Sequence, residues 1–223
     1  MAFLRRRLPL VREADPVFRI LAVCTGNICR SPQAEQLLRA RIPAAFGRSG
    51  IDALEVSSAG TGAYDGVPMD PYAALEAERL GITDAALHRA RRLDRAIVAG
   101  ADVVLTMDRE HRAEVDRLRT GVHSFTLVEF SLVVEHLASG KAASTLPPLA
   151  LEGFAAFMRR LVDAAHVERA LAPLPRVAVA LDIVDPYRRA QAAYRQSADS
   201  IDAAVSRLAA ALGAVAAGVP AAT

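Results

Sequence analysis

Tryptophan is absent from this 223-residue chain, and cysteine occurs only twice, at Cys24 and Cys29. Two cysteines so close together cannot staple a small secreted domain, and without a cluster of His or further Cys beside them they make a poor zinc site. No run approaches the ~20 apolar residues needed to cross a bilayer. The opening residues, MAFLRRRLPLVREADP, carry Arg5, Arg6 and Arg7 but lack an apolar stretch long enough for a signal peptide. Residues 1–16 therefore read as a mobile basic leader ending in a turn at Asp15-Pro16, and the chain as cytoplasmic, in a reducing environment. Charge of one sign is missing too. The formal net charge is only +2, and the arginines that supply nearly all the positive charge are interspersed with acids. That is the pattern of solvated helix faces, and it argues against a nucleic-acid partner. What is present is a globular composition, 52% hydrophobic and 23% charged, enough for one core spanning 17–223.

Along that span, strand and helix signals alternate. Residues 17–23 form a short apolar run that ends abruptly at CTGNICRSP, after which Ala34, Leu37, Leu38 and Ile42 recur at helical spacing. Ser31 or Thr25 is a candidate cap for that helix, and Pro32 suits its first position. Further strands are expected at 54–58, 101–106 and 124–128, with helices at 71–80 (closed by Gly81) and 109–118. Such alternation predicts an α/β fold, a four-stranded parallel sheet flanked by helices. Two more helices are expected at 129–139 and 151–171, the second with Phe154, Phe157, Met158, Leu161 and Val162 along one side. Gly140, Pro147, Pro148, Pro173 and Pro175 punctuate the loops around them. Residues 177–183 read as a strand or an extended approach, and a long amphipathic helix closes the chain from Tyr187 to about Leu212.

The chemistry concentrates in Cys24-Thr25-Gly26-Asn27-Ile28-Cys29-Arg30-Ser31. A cysteine, five residues and an arginine between a strand and a helix make a compact anion site. Backbone N–H groups of such a loop converge on one centre, and the helix N-terminus adds partial positive charge. Gly26 allows close approach or a positive φ, and Asn27 tolerates the left-handed region. Arg30 offers a planar fork that binds two phosphate oxygens, and the same positive surroundings favour the Cys24 thiolate. A nucleophile inside an anion cradle implies attack on phosphorus. Leaving-group protonation requires an acid, for which Asp185, in Asp185-Pro186-Tyr187, is the candidate. The same residues also fit a plain helix entry, with Asp185 as N-cap and Pro186 at the first position.

VCTGNICRSP (23–32), SAGTGAY (58–64), MDREH (107–111) and DPY (185–187) resemble the low-molecular-weight protein-tyrosine phosphatases. The resemblance implies Cys24 as the nucleophile that forms a phosphocysteine, Arg30 as the phosphate-binding group and Asp185 as general acid, then base. It places Thr25, Gly26, Asn27, Ile28, Cys29, Arg30 and Ser31 around the phosphate. Asn27, Ser31, Ser58 and His88 become supports of the loop, and Tyr64 and Tyr187 walls for the substrate ring. Cys29 matches a second loop cysteine that can form a reversible disulfide with the nucleophile. No metal or other cofactor is implied. The implied partner is a phosphotyrosine-bearing protein, for bacterial relatives a tyrosine kinase.

Within that superfamily, relatives acting on phosphoarginine carry Thr where this chain has Ile28, so Ile28 favours a flat aryl substrate. Thiol-dependent arsenate reductases need additional cysteines that this chain lacks. A non-enzymatic phosphoprotein-binding module is a further alternative, although nucleophile, arginine and acid are all present. The chain departs from the family pattern at about 130–178, where a helical insertion precedes the acid loop. A lid, a substrate-docking surface and a dimer interface are all open roles for it.

Overall fold

Strand β1 (Phe18–Cys24) is buried along almost its whole length, as a central parallel strand requires. In this computed structural model, which describes residues 15–46, 52–139, 149 and 153–217, β1 pairs with β2 (Leu54–Gly60) on one side and β3 (Val103–Thr106) on the other. A short β4 (Ser124–Thr126) completes a parallel sheet of order β2-β1-β3-β4, the predicted four-stranded α/β architecture. Residues 1–14 of the expected leader, and Gly140, Pro147 and Pro148 of the insertion, lie outside the described residues. The turn at Asp15-Pro16 is present, closed by the Val17 N–H donating to Asp15 Oδ1 at 3.0 Å.

Alternation along β1 sends Phe18, Ile20, Ala22 and Cys24 to one face and Leu21 and Val23 to the other. The first face packs on α1 (Arg30–Ala45), α2 (Pro71–Arg79) and α5 (Leu127–Ser139). The second packs on α4 (Arg109–Leu118) and on α3 (Arg95–Gly100), a short helix that the sequence patterning does not reveal. The α5 helix begins two residues before its expected start, directly off β4, so the fourth strand is shorter than 124–128. The closing helix, α7, is Gln191–Ala217. Its length and mean hydropathy of 1.4 meet the composition test for a membrane span, contrary to the reading that no such stretch exists. Its apolar side is nevertheless occupied, with Ile201, Val205, Leu208 and Leu212 buried against the main core.

The insertion contributes α6 (Phe154–Glu168), whose predicted apolar side does face inward. Phe154 and Phe157 meet Phe46 edge-on, with ring centroids 5.0 and 6.1 Å apart. Arg159 donates to the carbonyls of Asp15 and Val17 and pairs with Asp102, just ahead of β1 and β3. His123, just ahead of β4, contacts Asp163 at 3.0 Å. These partners place α6 along the N-terminal edge of the sheet. Since β1 has seven residues, that edge is about 20 Å from Cys24. The helix is part of the core at the far end, so the lid role offered for the insertion does not apply to it. Residues 177–183 form no strand; a 3-10 turn spans Ala178–Leu181.

Candidate active site

Cys24 is the last residue of β1, and α1 begins at Arg30, so the loop between them spans the carboxyl end of the central strand. The N-cap of α1 is Cys29, with no side-chain cap and no acid in the first turn. Neither Thr25 nor Ser31 caps the helix, contrary to the sequence-based expectation. Its first N–H groups are thus left for a bound anion.

The Cys24 sulfur is 3.0 Å from Ser31 Oγ and accepts the Asn27 backbone N–H at 3.3 Å. The left-handed residue of the loop is Asn27, at φ 53°; Gly26 is not among the positive-φ residues. Asn27 is fully buried and spends its amide on the loop. Its Nδ2 donates to Ser31 Oγ (2.9 Å) and Ser58 Oγ (2.8 Å), and its Oδ1 accepts the Arg91 backbone N–H at 2.9 Å. His88 Nε2 lies 2.6 Å from the Asn27 carbonyl, so all four predicted supports meet in one network. The sequence reading missed two of its members. Glu35 accepts from Ser58 Oγ at 2.5 Å, and Arg91 Nε donates to the Ser58 carbonyl at 2.6 Å.

Arg30 is almost wholly buried and fixed from several sides. Its Nη1 donates to Asp108 Oδ2 (3.2 Å) and the Ile183 carbonyl (3.1 Å), while Nη2 lies 3.4 Å from Thr25 Oγ1 and 2.9 Å from Asp185 Oδ2. Its Nε is buried without a partner, an unmet donor at the site. Asp108 and His111, both in the MDREH motif, gain a role from the fold. The His111 ring reaches Thr25 Oγ1 through Nε2 (2.8 Å) and Asp108 Oδ1 through Nδ1 (2.8 Å). Burial works against the charged form of Asp108, but the His111 ring and backbone and the Arg30 charge outweigh it, holding the carboxyl at about 2. Asp108 also accepts the His111 N–H as N-cap of α4.

Cys24, Thr25, Gly26, Ile28, Cys29 and Arg30 floor a cleft of about 270 Å³, with Gly62, Tyr64, Val67, Asp185 and Tyr187 around it. Tyr64 and Tyr187 are exposed, as walls facing an incoming ring must be. Asp185 is not a helix N-cap. Its Oδ1 accepts the Tyr187 N–H at 3.2 Å within a turn, and Arg188 at φ 59° delays the helix to Gln191. Cys29 is buried beside the same cleft and unbridged. Burial, then the charges of Asp70, Cys24 and Asp185, push its thiol well above the ordinary cysteine range. Gly60, at the end of β2, comes so close to the loop that a Cβ there would lie 2.4 Å from the Thr25 carbonyl oxygen. Only glycine fits that position.

The family model described as "Low molecular weight phosphotyrosine protein phosphatase" matches residues 19–138. Over 96 residues the chain is 43% identical to "Probable low molecular weight protein-tyrosine-phosphatase EpsP" of Ralstonia nicotianae, covering 43% of this chain and 59% of that protein. The chain thus spans less than two thirds of that relative's length. Among solved structures, the low molecular weight protein tyrosine phosphatase of T. tengcongensis superposes with a TM-score of 0.56 at 27% identity, covering 86% of this chain and 97% of the other. The YwlE arginine phosphatase of Geobacillus stearothermophilus superposes equally well, with a TM-score of 0.55 at 25% identity, covering 86% and 90%.

Proposed function

This chain belongs to the low molecular weight phosphotyrosine protein phosphatase family, and on that premise we propose that it hydrolyses phosphotyrosine in proteins through a phosphocysteine on Cys24. The observation that carries the proposal is the convergence of Cys24, Arg30 and Asp185 on one cleft between two tyrosines. The phosphate oxygens bind the loop N–H groups and Arg30, whose unmet Nε is ready for one of them. A phosphate dianion also competes for the Nη2 that Asp185 holds, freeing the carboxylate to take up a proton from solvent and turn toward the leaving oxygen. Cys24 Sγ then forms a bond to phosphorus as the bond to the tyrosine oxygen breaks, and Asp185 gives that oxygen its proton. In the second step Asp185 takes a proton from water, the water oxygen attacks phosphorus, and the S–P bond breaks. Inorganic phosphate and the Cys24 thiolate are regenerated. Turnover of an aryl phosphate should vanish in Cys24→Ser; activity persisting in that variant sinks the mechanism.

The chain superposes on a tyrosine and an arginine phosphatase alike, so side chains must decide the substrate. Ile28, Val67, Tyr64 and Tyr187 give the cleft apolar and aromatic walls, which suit a flat ring better than a guanidinium. Comparing phosphotyrosine and phosphoarginine peptides tests this, and a preference for phosphoarginine overturns it. A tyrosine kinase is the partner this reading favours, and two buried free thiols fit a reducing, cytoplasmic compartment.

The position of Cys29, unbridged and lining the same cleft as Cys24, supports a resolving role. Peroxide oxidises Cys24 to a sulfenic acid, and Cys29 then displaces water to form a disulfide. Intact-mass analysis after peroxide treatment should show the loss of two hydrogens in the wild type and added oxygen in Cys29→Ser. Added oxygen in both would remove the role.

A further inference from the structure

We infer that Arg109 is a positioning residue for the general acid, acting through an ion pair with Asp182; the inference rests on the phosphatase mechanism above. Asp185 belongs to no helix or strand. It follows a 3-10 turn and precedes α7, so its place depends on whatever holds the few residues around it. Downstream, the chain closes on itself, with the Arg189 N–H donating to the Pro186 carbonyl at 2.9 Å. Upstream, it is tied to the sheet and to α4. The Ile183 N–H donates to the Met107 carbonyl at 2.8 Å, and the Ile183 carbonyl accepts Arg30 Nη1 at 3.1 Å.

Just before it, Asp182 meets Arg109 fork to fork. Asp182 Oδ1 accepts the Arg109 backbone N–H (3.0 Å) and Nε (3.1 Å), and Oδ2 accepts Nε (3.1 Å) and Nη2 (2.9 Å). A planar pairing of this kind fixes orientation as well as distance. Its neighbour in sequence, Asp108, holds Arg30. Consecutive residues at the N-terminus of α4, its N-cap and its first residue, thus hold the phosphate-binding arginine and the acid segment, and so set the separation of the two. The Arg109 side chain is 42% exposed, and exposed pairs add little to stability. Loss of the pair should therefore register in proton delivery rather than in folding.

The test is kcat/KM for aryl phosphates graded from a good leaving group, dinitrophenol, to a poor one, phenol. Asp185→Ala should make the dependence on leaving group steep. Arg109→Ala and Asp182→Asn should fall between it and the wild type, losing about tenfold on phenyl phosphate and little on the dinitrophenyl ester. Arg109→Lys should recover part of the loss, and Arg109→Ala should add nothing in an Asp185→Ala background. Equal losses across the series in Arg109→Ala, or none, overturn the inference while leaving the mechanism standing. A wild type without turnover, or an Asp185→Ala with unchanged leaving-group dependence, overturns both.

Discussion

Replacing Gly60 by alanine adds a single carbon at the tightest point of the site. Parallel register sets Gly60 opposite Cys24, and the turn beyond β2 stays bonded to the phosphate loop. The Thr61 N–H donates to the Cys24 carbonyl at 3.0 Å and the Gly62 N–H to that of Thr25 at 2.9 Å. An alanine Cβ at 60 would lie 2.4 Å from the Thr25 carbonyl oxygen, 2.8 Å from the Asn27 nitrogen and 2.9 Å from Ala63 Cβ. A carbon and a carbonyl oxygen come no closer than about 3.3 Å in ordinary contact, so the loop backbone must retreat by about 0.9 Å. Two of the three obstacles are backbone atoms, and no flexible side chain can absorb the shift. Overpacking of this kind costs about 1–3 kcal/mol, which for a chain of this size lowers Tm by roughly 2–12 °C. Displacement of catalytic groups by about 1 Å costs on the order of 100-fold in rate. Gly60→Ala should therefore lose about two orders of magnitude in kcat/KM on an aryl phosphate at a temperature where it is still folded. Gly100→Ala is the control, since nothing lies within 4 Å of a Cβ built there, and it should match the wild type in both measurements. Wild-type kcat/KM in Gly60→Ala would refute the argument.

Phe157→Ala, in α6, should cost about 3–5 kcal/mol in denaturant unfolding yet leave kcat of the folded enzyme within about twofold, because its packing is at the far edge of the sheet; a large fall in kcat would contradict that placement. Asp108 predicts an acid limb. Its carboxyl is held at about 2, below its usual 3.8, so its contribution to stability is complete above pH 4 and lost as pH falls toward 2. Thermal melts from pH 5 to 2 should show that loss in the wild type and a shallower one in Asp108→Asn, and parallel profiles would remove the assignment.

The phosphate loop was legible because all its parts are contiguous: nucleophile, left-handed Asn27 and arginine fall within one strand-to-helix turn. Ser58 and His88 came through the family resemblance. Gly60, Glu35, Arg91 and Asp182 did not emerge, since each acts through a partner distant in sequence, and only register or packing brings them together. For α6, the spacing of Phe154, Phe157, Met158, Leu161 and Val162 told which side is buried but not against what. Residues 177–183 look like a strand by composition, yet the backbone bond from Ile183 reaches outside the segment, to Met107, while Ala180 and Asp182 bond back within a turn. Asp185-Pro186 reads as a helix start, but the left-handed Arg188 interrupts it.

The order β2-β1-β3-β4 makes β1 the strand at which the winding of the chain reverses. Crossovers on either side of such a strand part from each other, and ligands of open α/β sheets settle in the crevice this leaves at the carboxyl end. Cys24 is delivered into that crevice simply by ending β1. The opposite rim, at the amino ends of the strands, is where α6 is attached. Growth of the chain at that rim enlarges the molecule without narrowing the opening through which a phosphorylated side chain must pass.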